Sequence, residues 1–167
     1  YMAEAASALG ADVTLIAGST QQIANSDGIN WKSENDLIAE VENGTIKAYR
    51  VGEVRIASEK GSFIVKVTPQ YSYYTEPYLN FGATIQSVKK QMKGYSLISE
   101  DSKSLLYKGT GYTSGYLYSF ENSALKYSYI LTSSSYVTEV ANWTAERYVY
   151  VTQTDDYIGL ITPDKKI

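Results

Sequence analysis

The sequence predicts two domains: a small all-β sandwich, then a small α+β domain in which helices cover one face of an antiparallel sheet. Three observations carry this. Short alternating runs separated by turn residues fill the first 70 positions. Beyond them, helical spacing mixes with strand alternation, and fifteen of the seventeen tyrosines lie in that second part. Charge shifts at the same place, from six Lys/Arg against nine Asp/Glu in 1–70 to nine of each in 71–167. Pro69 and Pro77 bracket the change and favour an extended connection, so the domains are expected at 1–70 and 71–167.

In chain order, "YMAEAASAL" (1–9) reads either as a short leading helix ending at Gly10 or as a frayed end. "ADVTLIA" and "GINWKS" read as strands. "LIAEVENGTIKAYRVG" alternates on both sides of Asn43-Gly44, the strongest short-range hairpin signal, and "EVRIAS" with "SFIVKVTP" makes a second pair around Lys60-Gly61. In the second half, "TIQSVKKQMKG" offers Thr84 as N-cap, with Ile85, Val88 and Met92 at helical spacing and Gly94 as C-cap. "YSLISED", "SLLYKG", "GYLYSFEN" and "ALKYSYILTS" alternate as strands, with a turn at Glu121-Asn122-Ser123. "SSYVTEVANWTAERY" returns to helical spacing behind a serine cap, and "YVYVTQ" and "YIGLIT" close as strands.

Composition closes several function classes. The chain has no cysteine and no histidine, which removes thiol nucleophiles, zinc sites built on Cys or His, and imidazole acid/base catalysis. No catalytic residues, metal ligands or cofactor are therefore expected. A net charge of -3, with its 15 basic residues scattered, gives no basic stripe for nucleic acid. No apolar run approaches the roughly 20 residues that span a bilayer, so no integral membrane segment is expected. The start "YMAEAASALGADV" lacks the basic region and apolar core of a signal peptide, so the chain reads as a mature or trimmed fragment. That reading leaves room for a lipid anchor upstream.

Ile29-Asn30-Trp31-Lys32-Ser33-Glu34-Asn35, then Ile38-Ala39, Val41, Asn43-Gly44-Thr45-Ile46, Ala48, Val51-Gly52 and Ile56 resemble the bacterial immunoglobulin-like group 2 domain over about residues 13–68. The resemblance implies an immunoglobulin-like sandwich with Trp31 as its large core residue. The segment "IANSDGI" is shorter than that family's usual one, so one edge is expected to be irregular. In the second half, Phe81-Gly82-Ala83-Thr84-Ile85 with Val88, and the strand end Tyr118, Phe120 and Asn122, look like an α+β domain of Bacteroidetes surface lipoproteins. This part is also similar to the β-lactamase-inhibitor-protein-like fold. Together these resemblances imply an exported, non-enzymatic protein of the cell surface (an outer membrane lipoprotein) or the periplasm. Its partner would be a surface protein or a glycan.

The candidate binding residues are Tyr112, Tyr116, Tyr118, Tyr127 and Tyr129. Counting by twos, Tyr116, Tyr118 and Phe120 share one face of their strand, as do Tyr127, Tyr129 and Leu131 of the next. Such rings serve either as cross-strand core or as an exposed contact surface, to which Tyr112 and the run Tyr71, Tyr73, Tyr74 would add. Tyrosine suits interfaces because it adds area at little entropic cost and keeps a polar tip. Gly109-Thr110-Gly111 superficially resembles a phosphate loop, but no lysine follows it and the next residues read as a strand. Glu100-Asp101 and Asp155-Asp156 read as solvated turn residues, with weak calcium binding by Asp155, Asp156 or Asp164 as the minor alternative.

Overall fold

The computed structural model describes residues 11–164. It is mostly β-sheet, with two short helices. The leading helix considered for residues 1–9 lies outside the described residues. The chain divides into two compact units: one holds the chain up to Tyr71 and again from Asn142, and the other is Ser72–Ala141.

In the first unit, β1 (Val13–Ile16), β7 (Gly61–Thr68), β6 (Gly52–Ser58) and β3 (Lys32–Ser33) form one sheet in the order β1-β7-β6-β3. A second sheet runs β2-β5-β4, from β2 (Thr20–Gln22), β5 (Thr45–Ala48) and β4 (Ala39–Glu42). Alternation explains which residues turn inward. Val54 and Ile56 of β6, Phe63, Val65 and Val67 of β7, and Ile46 and Ala48 of β5 enter one buried cluster that draws on both sheets. Trp31 belongs to it, its ring meeting Phe63 edge-on at 5.3 Å. Asn43 and Gly44 both take positive φ, 50° and 73°, as the primed two-residue turn between β4 and β5 requires. β1 pairs with β7 in parallel, a contact no turn signal announces. β3, only two residues long, lies at the edge of its sheet.

The second unit is an antiparallel sheet in the order β11-β10-β9-β8: β8 (Leu97–Glu100), β9 (Ser104–Lys108), β10 (Thr113–Glu121) and β11 (Ala124–Thr132). The helix α1 (Ile85–Gln91) is capped by Thr84, whose hydroxyl accepts from Ser87 N–H at 3.2 Å. It ends at Met92, with Gly94 two residues beyond at φ 111°. Val88 and Met92 lie in a buried cluster with Leu105, Tyr107, Tyr116, Tyr118, Phe120 and Leu125, so α1 covers one face of the sheet.

A single 3-10 turn (Ser134–Tyr136), capped by Ser133, leads into α2 (Val137–Ala145), which crosses the boundary between units. After it, β12 (Val149–Gln153) and β13 (Ile158–Ile161) pair, among the described residues, only with each other. The expected domain 71–167 is thereby divided, because its last part gathers with the first unit. The physical reason is a set of bonds from that tail: Val51 N–H to the Glu146 carbonyl at 2.7 Å, Arg50 Nε to the Tyr148 carbonyl at 3.1 Å, and Asn35 Nδ2 to the Pro163 carbonyl at 2.9 Å.

Candidate interaction surface

The hairpin β10–β11 decides what the tyrosines do. Its turn residues Asn122 and Ser123 both take positive φ, 51° and 64°, and close Glu121 against Ala124 and Phe120 against Leu125. Continued without interruption, that register would pair Tyr118 with Tyr127 and Tyr116 with Tyr129, placing all four rings on one face. The register shifts instead between Ser119 and Phe120, so that Ser119 faces Tyr127, Tyr118 faces Ser128, Leu117 faces Tyr129 and Tyr116 faces Ile130. Lys126 is the extra residue of this bulge. Because side chains alternate, one inserted residue sends Tyr127 and Tyr129 to the face opposite Tyr116 and Tyr118.

Tyr116 and Tyr118 are therefore core residues, 4% and 0% exposed, under α1, and cannot present a contact surface. Tyr118 Oη accepts from Tyr78 N–H at 3.1 Å and donates to Met92 Sδ at 3.2 Å. Tyr116 Oη donates to the Thr75 carbonyl at 3.1 Å. Burial pushes the Tyr118 phenol up to about 12, and it also raises those of Tyr116 and Tyr107. A phenol whose folded pKa exceeds the unfolded value stabilises the fold below pH 10 and withdraws that support as pH climbs towards 12. Unfolding in urea at rising pH is thus expected to show the second unit losing on the order of 2 kcal/mol between pH 10 and 12. Tyr118→Phe should flatten that limb.

The other three candidates lie nearer solvent. Tyr127 is 52% exposed, Tyr129 is half-buried, and their rings meet at 6.2 Å with a 45° tilt. By register, Leu106, Leu117 and Tyr129 form a row across this face, with Tyr127 and Leu131 to either side. Tyr112 belongs to a different group. Its ring touches Tyr73 at 5.5 Å, Tyr74 at 6.1 Å and Tyr136 at 4.9 Å. Tyr74 is buried there, its hydroxyl 3.0 Å from Thr132 Oγ1, which donates to the Tyr112 carbonyl at 2.8 Å. This cluster joins the start of the second unit to its end.

The carboxylates stay apart. Glu100 pairs with Lys89 at 2.8 Å, Asp101 accepts from Lys103 N–H in its own turn, and Asp155 and Asp156 occupy the β12–β13 turn. Among the described residues no three acidic side chains gather as a metal site would require, and no helix is long and apolar enough to cross a membrane. Sequence reasoning did not single out Glu146, which is 6% exposed and bonded to Gln70, Tyr71 and Arg147. No family model matches the chain, and no curated protein matches it significantly.

Proposed function

We propose that the chain is part of a non-enzymatic, exported protein of the cell surface or periplasm. In this reading an immunoglobulin-like unit carries a tyrosine-bearing α+β unit that contacts another protein. The observation that carries it is the bulge at Lys126, which turns Tyr127 and Tyr129 out of the core onto a face shared with Leu106, Leu117 and Leu131. A bulge that re-aims side chains is a feature a fold keeps for use at its surface. The immunoglobulin-like part is supported by strand order. With β2 to β7 read as strands B to G, one sheet is B-E-D and the other C-F-G, and β1 is added in parallel to the last strand.

A mixed row of Tyr and Leu suits a protein partner, since aromatic anchors with apolar neighbours dominate such interfaces. The 45° tilt between Tyr127 and Tyr129 offers no flat platform for one sugar ring. The test is binding of the labelled full chain to a panel of extracellular proteins and to a glycan array, with Tyr127→Ser and Leu131→Ser beside the wild type. The expected result is protein binding weakened at least tenfold by Tyr127→Ser at unchanged melting temperature. Binding only to glycans would replace the partner class. Binding indifferent to both substitutions, or a gene product confined to the cytoplasm, would overturn the reading.

A further inference from the structure

The chain leaves the first unit after Tyr71 and returns to it at Asn142, so residues 72–141 are inserted between two parts of that unit. Just inside the two crossings sits a group of polar contacts that neither the core nor the tyrosine face explains. Glu146 Oε2 accepts from Gln70 N–H at 2.9 Å, and its Oε1 accepts from Tyr71 N–H at 2.8 Å. Arg147 Nη1 donates to Glu146 Oε1 at 2.8 Å, and its Nη2 donates to the Tyr71 carbonyl at 2.7 Å. The guanidinium lies 4.4 Å from the centre of the Trp143 ring. A carboxylate buried this far costs several kcal/mol unless ionic and amide partners saturate it, and here they do. The partners it has taken are the last backbone groups before the chain departs.

We propose that Glu146 and Arg147 form a clamp across the neck of the insertion, so that tension along the chain passes through the first unit and bypasses residues 72–141. The load has a continuous path. It runs from β1 into β7 through their parallel pairing, from Gln70 and Tyr71 into Glu146 and Arg147, and on to the tail, which Arg50, Val51 and Asn35 also hold. While these contacts stand, the covalent route through the second unit is slack. That unit closes its own ends as well, through Tyr74 with Thr132 and the rings around Tyr112.

Pulling the full chain by handles at its two ends tests this. The insertion is about 70 residues and yields ~240 Å when extended. In the wild type that long step is expected only after a shorter one that frees the tail. Glu146→Gln keeps the shape and removes the charge. It should release the tail at least tenfold faster at constant force, and exchange the Gln70 and Tyr71 amides at least tenfold faster while β7 amides keep their protection. A long step that comes first in the wild type overturns the clamp whatever the variant does. An unchanged release rate and unchanged amide protection in Glu146→Gln overturn it too.

Discussion

Tyr118→Ala is expected to bring the second unit close to unfolding while the first keeps its full stability. The ring is fully buried beneath α1, edge-on to Tyr107 at 6.3 Å, and its hydroxyl holds both Met92 Sδ and the Tyr78 amide. Truncating a buried aromatic costs about 3–5 kcal/mol, and here the Tyr78 N–H also loses its acceptor. A unit of this size is stable by roughly 4–10 kcal/mol, so most of its margin goes. In denaturant melts of the full chain, the expected result is an early transition with the amplitude of the second unit, followed by an unshifted one. Tyr127→Ala, on the opposite face, should move neither transition by more than about 0.5 kcal/mol. Equal costs for the two substitutions would mean that the register assigned to β11 is wrong.

That comparison also shows where the sequence stops being legible. Alternation sorted each strand's residues into two sets, and it grouped Tyr116 with Tyr118 and Tyr127 with Tyr129, as the structure does. It could not say which sets share a face, because that depends on pairing, and pairing is set by one extra residue at Lys126. Nor could it say which face α1 covers, since that contact is made by Val88 and Met92 from outside the hairpin. The signals that worked were local. Asn43-Gly44 fixed β4 against β5, and Thr84 marked the start of α1. The parallel contact of β1 with β7 and the return of the tail to Arg50 and Val51 are long-range. No turn, cap or periodicity encodes them, and Glu146 could not be recognised before the tail was placed.

Trp31→Ala is the matching test of the first unit, with an expected loss of about 3–5 kcal/mol. The indole lies in the cluster drawn from both sheets and rests on Phe63. Removing it leaves a void beside Phe63, and β6 and β7, paired in register along their whole length, cannot shift to close it. Trp31→Phe separates volume from polarity. The indole N–H is buried without a hydrogen-bond partner among the described residues, so phenylalanine sheds that donor while losing only part of the ring, and about 1 kcal/mol is the expected net cost. The decisive reading is which transition moves. If Trp31→Ala lowers only the transition that Tyr118→Ala leaves alone, the two cores are independent, and the insertion at Tyr71 and Asn142 joins two separately stable bodies. If each substitution drags down both transitions, the two cores do not fold independently.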